Sequence, residues 1–251
     1  MMRPTPIALI ASACLLIGAG SAFAQYSPRQ EMLRRYDACM AAARARPAQA
    51  LEDAQTWQGQ GGGLAAAHCE ATSLFYLRRY AEAATLLQQL VGSAGPVSEG
   101  QLLVQLGQAL SLSGDLQGAL QAQTRAVDEA PDDPERRIDR AITLAELRRY
   151  GDAVADLSRV LSTNPARGDA LLLRAAALRN LGNLAAARED IEKAAALMPD
   201  DPEVLIEGGM IAALAGDTAT ARARWKRVGE VAPNSLAAAR AAALLDKLPK
   251  G

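Results

Sequence analysis

Four prolines, Pro131, Pro165, Pro199 and Pro233, stand thirty-four residues apart without slippage. Twelve residues before each of them stands an alanine: Ala119, Ala153, Ala187 and Ala221. A domain built around one compact core imposes no such translational order. A period of this length means supersecondary units stacked along one axis, each touching only its neighbours. Half of the residues are apolar, yet aromatic side chains make up only 4%. A sheet would favour β-branched and aromatic residues, so this composition points to close-packed helices and an all-α class.

The start of the chain carries a different signal. Arg3 supplies a positive charge, residues 7–19 are mostly apolar, and Ala22-Phe23-Ala24 forms an A-x-A site before Gln25. This is the pattern of a secretory signal over residues 1–24, and the apolar run is short for a membrane span. A retained anchor and a lipoprotein built on Cys14 are the alternatives. Ala11-Ser12-Ala13 lacks the leucine usual before a lipidated cysteine, so simple cleavage ranks first. Removing Arg3 from the 27 basic side chains leaves 26 against 28 acidic ones, a net charge of −2. That balance gives no basic footprint for nucleic acid or an anionic membrane surface. Export also places the two remaining cysteines, Cys39 and Cys69, where thiols are oxidised, so they are expected to form one disulfide. A periplasmic or secreted location follows.

After a polar lead, residues 29–46 show one apolar helical face that includes Met32, Tyr36, Cys39 and Met40. Pro47 suits the first position of a following helix through Leu51, Ala54 and Trp57. Residues 25–63 therefore read as a degenerate helical hairpin closed by the glycine-rich stretch 58–63. No strand precedes that stretch and no Gly-Lys-Ser/Thr follows it, which argues against a phosphate-binding loop. Arg78-Arg79-Tyr80 echoes Arg148-Arg149-Tyr150 and sets the register of a first unit over 64–99, its end loosened by the short break 97–99. Four regular units are expected over 100–133, 134–167, 168–201 and 202–235, with a capping helix in 236–251.

Small residues recur inside these units. The eighth position holds Ala71, Gly107, Ala141, Ala175 and Gly209, and the twentieth holds Ala83, Ala119, Ala153, Ala187 and Ala221. Antiparallel helices approach closely where a small side chain admits the partner's ridge. Gly114, Gly182 and Gly216 fit left-handed turns between the paired helices. Asp133 before Pro134, Asp201 before Pro202, and Asn164-Pro165 read as caps.

In spacing and in small-residue positions the chain resembles the tetratricopeptide repeat family, in an exported bacterial form. Leu106-Gly107-x2-Leu110, Ala119-x3-Gln123 and Pro131 carry the match in one unit. Ala187-x3-Ile191 with Pro199, and Ala221-x3-Trp225 with Pro233, carry it in two more. Arg140 and Arg174 stand in the family's usual leucine place. The resemblance implies a right-handed α-solenoid whose concave face, lined by the first helix of each unit, takes a peptide, extended segment or helix. Groove-facing positions are then His68, Thr72, Phe75, Val104, Gln108, Ser111, Glu135, Ile138, Ile142, Leu172, Ala176, Arg179, Ile206 and Met210. Family members that clasp a C-terminal carboxylate use Lys and Asn where Ile142, Ala176 and Met210 stand, so an apolar ligand is expected instead.

His68 beside Cys69 is too small a donor set for zinc. The chain shows no nucleophile–base pair, metal cluster or cofactor fingerprint. The expectation is a non-catalytic scaffold without cofactor, favoured as a monomer, that holds a protein partner during envelope or secreted-complex assembly. A polysaccharide-export or polymer-binding factor is the alternative.

Overall fold

The computed structural model describes residues 27–93 and 95–249, so the expected signal segment and Cys14 lie outside the described residues. The described residues form thirteen α-helices and no strand. The opening hairpin is α1 (Pro28–Ala45) and α2 (Pro47–Gly59). It is followed by α3 (Gly63–Tyr76) with α4 (Tyr80–Leu90), α5 (Glu99–Ser113) with α6 (Leu116–Glu129), and α7 (Pro134–Glu146) with α8 (Tyr150–Thr163). Then come α9 (Gly168–Asn180) with α10 (Leu184–Leu197), α11 (Pro202–Leu214) with α12 (Thr218–Val231), and a final helix, α13 (Leu236–Lys247).

Consecutive helices pack as antiparallel pairs that stack into a right-handed solenoid. The first helices of successive units also touch, α5 with α7, α7 with α9 and α9 with α11, while second helices make no comparable contact. First helices therefore lie on the tighter inner radius and line the concave side. The last helix, α13, packs on α11 and α12 and so takes the place of a first helix. No helix among the described residues is long and apolar enough to cross a membrane.

Local chemistry explains where the helices stop. Gly114, Gly182 and Gly216 take φ of +91°, +78° and +83° at the turns inside their pairs. The equivalent residues Arg78 and Arg148 adopt φ of +60° and +59° despite carrying a Cβ. Asp133 and Asp201 cap α7 and α11 through their side chains. Asn164 does not cap α9. The residue before that helix is Arg167, which offers no side-chain cap, and Asn164 Oδ1 instead accepts the Ala166 N–H within the turn at 3.3 Å.

The small positions are buried at every level, with the five twentieth-position alanines fully enclosed. At Gly107 an added Cβ would lie 2.7 Å from Gln123 Cγ, and at Gly209 it would lie 2.2–2.7 Å from the Trp225 ring. Glycine stands at these two levels because the facing side chain crosses directly over it. Trp225 turns this closeness into a hydrogen bond from Nε1 to the Ile206 carbonyl at 3.1 Å. Gln123 is less well served. It is buried and its Oε1 has no hydrogen-bond partner. Other units place Leu87, Leu157, Ile191 and Trp225 at this position. An unsatisfied buried acceptor carries a desolvation cost. Gln123→Met keeps the shape and removes the amide, so it should raise the unfolding free energy by about 1 kcal/mol in urea titration. A lowered value would show that the amide is satisfied after all.

Charged groups also sit between the layers. Asp156 on α8 accepts Nε and Nη2 of Arg140 at 2.7 Å each and Nη1 of Arg137 at 2.8 Å. Asp190 on α10 likewise holds Arg174 at 2.7 and 2.8 Å, while Arg174 also donates to Ser158 Oγ at 3.0 Å. In the next unit the guanidinium changes sides. Gly208 replaces the arginine, and Arg224 on the second helix reaches over it to Glu192 at 2.7 Å.

Candidate functional site

The concave row is built by α3, α5, α7, α9 and α11, and the sequence-expected positions divide by depth. His68 and Ile206 are 1% exposed, Ile138 is 7% and Thr72 is 8%. All four were expected to face the groove, yet His68, Ile138 and Ile206 lie beneath its surface and Thr72 reaches it only as a largely buried wall of the cleft at its first end. Each sits where an adjoining helix closes over the first helix. Ile138 and Ile206 belong to the apolar core, and Thr72 turns its hydroxyl to the His68 carbonyl at 2.9 Å.

His68 joins three helices. Its Nδ1 accepts from the Tyr36 hydroxyl of α1 at 2.6 Å, and its Nε2–H donates to Gln105 Oε1 of α5 at 2.5 Å. Burial holds its pKa below the usual histidine value, against the opposing pull of the Gln105 bond. The same burial, with Asp37 nearby, pushes the Tyr36 hydroxyl up to about 12. Three residues after Tyr36 and one after His68, Cys39 and Cys69 form the expected disulfide, with their Cα atoms 6.0 Å apart. The histidine is thus a neutral structural link beside a covalent one.

Phe75, Val104, Gln108, Leu172, Ala176, Arg179 and Met210 are half-buried, and Glu135 and Ile142 are exposed. The polar members are engaged along the row. Gln108 donates to Asp139 at 3.1 Å, Ser111 meets Thr143 at 3.4 Å, Glu135 takes Arg167 at 2.6 Å, and Arg179 donates to Glu207 at 2.5 Å. Glu203 continues the series to Arg240 of α13 at 2.9 Å. Burial raises the Asp139 carboxyl above its usual range, and its hydrogen bond to Gln108 works in the opposite direction. The first helices are therefore cross-linked to one another by polar side chains. Val104, Ile142, Leu172, Ala176 and Met210 remain as apolar surface between the links.

A cleft of about 80 Å³ opens at the first end of this row, lined by Met40, Arg44, Thr72, Phe75, Tyr76, Gln105 and Gln108. Met40, Arg44, Tyr76 and Gln105 escape a reading based on the repeat register. Two of them lie in α1, which precedes any repeat signature. Among the described residues no group of three or more His, Cys, Asp or Glu could hold a metal ion.

Comparison with known proteins agrees with this architecture. A family model described as tetratricopeptide repeat matches residues 70–134 and 138–202, two stretches of 65 residues that make up half of the chain. Over 112 residues the chain is 32% identical to Protein SGT1 homolog of cattle (Bos taurus), covering 45% of this chain and 33% of that protein. The chain thus spans about a third of the length of this curated relative. Among solved structures, MamA MSR-1 C2 is 23% identical with a TM-score of 0.55, covering 67% of this chain and 95% of that one. MamA 41-end from Desulfovibrio magneticus RS-1 is 20% identical with a TM-score of 0.56, covering 76% and 98%. At these identities the likeness is one of fold.

Proposed function

The chain belongs to the tetratricopeptide repeat family, and from that premise we propose that it is a non-catalytic interaction scaffold of the bacterial periplasm. It binds a peptide or helix of a partner protein along its concave face. The carrying observation is the internal pairing of that face: Gln108, Glu135 and Arg179 already have partners within the row. A ligand covering Ile142, Leu172, Ala176 and Met210 removes apolar surface from water without having to break those links, which makes apolar contact the main driving force. Export is supported by the signal pattern of residues 1–24 and by the Cys39–Cys69 bond, which persists in an oxidising compartment. Assembly of envelope or secreted complexes is the setting such a scaffold suits.

Affinity capture from cell envelopes tests this reading. Wild-type protein should retain a stoichiometric protein, and the Ile142→Glu, Leu172→Glu double variant should lose it by tenfold or more while melting normally. Equal retention by both would remove the groove from the account. Recovery of a glycan and no protein would favour the polymer-binding alternative.

A further inference from the structure

The cleft at the first end of the concave row has a structural origin. Residues 97–99 interrupt the repeat spacing. Across this break α3 and α5 are joined by the His68–Gln105 hydrogen bond and do not pack as closely as α9 packs on α11. The space between them is walled on its third side by α1, which the disulfide and the Tyr36–His68 hydrogen bond tie to α3.

The walls of the cleft differ in chemistry from the rest of the groove. Met40 and Phe75 supply apolar surface, and Tyr76 is 44% exposed beside them. Gln105 has its amide oxygen engaged by His68, which leaves its Nε2–H2 as a donor. Gln108 has its Nε2 engaged by Asp139, which leaves its Oε1 as an acceptor. These two groups, one turn apart on α5, match the carbonyl and N–H that an extended backbone presents. The one cation in its wall is also distinctive. Arg44 has no carboxylate partner among the described residues, whereas Arg79, Arg167, Arg179 and Arg240 all do.

We propose that this cleft is an anchoring subsite for an extended partner segment in which an apolar side chain is flanked by acidic residues. The apolar group enters between Met40, Phe75 and Tyr76. The segment's backbone meets Gln105 and Gln108, and its acidic flank faces Arg44. The proposal deepens the groove reading and rests on it. It also gives the opening hairpin a role, because α1 supplies both Met40 and Arg44.

The test is fluorescence anisotropy with amidated, fluorescein-labelled heptapeptides of sequence Gly-Ser-Glu-Phe-Glu-Ser-Gly, the same peptide with Gln in place of Glu, and the same with Lys. The acidic peptide should bind at least about tenfold more tightly than the Gln peptide and weaken in half-molar sodium chloride. Arg44→Ala should abolish the preference for Glu over Gln, and Arg44→Lys should restore part of it. Equal binding of the Glu and Gln peptides, tighter binding of the Lys peptide, an unchanged preference in Arg44→Ala, or no binding of any peptide at millimolar concentration would overturn the proposal. Loss of envelope capture in the Ile142→Glu, Leu172→Glu variant alongside any of these results would leave the groove reading standing while the subsite fails.

Discussion

Replacing Asp156 with alanine should lower the unfolding free energy by about 3 kcal/mol. The carboxylate is buried and accepts hydrogen bonds from two guanidinium groups, Arg140 in a two-point grip and Arg137 from one turn earlier. Arg140 is held above the usual arginine value by its hydrogen bond to Asp156, which shows the direction of the coupling. Removing the acid leaves two cations between α7 and α8 with only 17% of each side chain exposed. Desolvated charge without a counter-charge is the source of the loss. The neighbouring unit shows how the position can be filled otherwise, since Leu106 and Ala122 occupy the places of Arg140 and Asp156 and both are buried. Transplanting that pair as Arg140→Leu with Asp156→Ala should therefore recover part of the loss, with Arg137 still lacking its counter-charge. Urea titration of the single and double variants measures it. Equal destabilisation of both would show that packing at Asp156, rather than its charge, sets the cost.

The second large effect concerns the opening hairpin. Reducing the Cys39–Cys69 bond, or replacing both cysteines with alanine, should destabilise the first end of the solenoid by about 3–4 kcal/mol, the chain-entropy value for a loop of this length. The bond spans 30 residues and joins α1 to α3. In a stacked array each unit is held only by its neighbours, so the loss should remain local. The two tryptophans report on opposite ends. Trp57 is buried in α2 with the Arg35 guanidinium 4.8 Å from its ring centroid, and Trp225 is buried in α12. Under reducing conditions Trp57, followed in a Trp225→Phe background, should respond at lower urea than before. Trp225, followed in a Trp57→Phe background, should hold its midpoint. Movement of both midpoints together would mean that the array unfolds as one block.

The all-helical paired architecture was legible because every unit repeats the same steric demand. An alanine at each twentieth position and a proline at each repeat end carry it from unit to unit. Depth was harder to read. Periodicity places His68, Thr72, Ile138 and Ile206 at an angle on their own helices, but it does not show how closely the adjoining helix covers them. The buried charge pairs were hidden for a related reason. Arg140 and Arg174 look like departures from a leucine position until Asp156 and Asp190 are noticed, each sixteen residues later on the facing helix. That shared offset was a usable signal. Met40 and Arg44 had none, since α1 precedes the repeats and only its packing on α3 brings them to the end of the row.

Hydrogen exchange on the protein alone and on the captured complex tests the central claim most directly. If a partner lies along the concave face, slowed exchange should concentrate in α3, α5, α7, α9 and α11, strongest around Ile142, Leu172 and Met210, with α6, α8 and α10 unchanged. Protection confined to those second helices, or spread evenly over both sets, would contradict it.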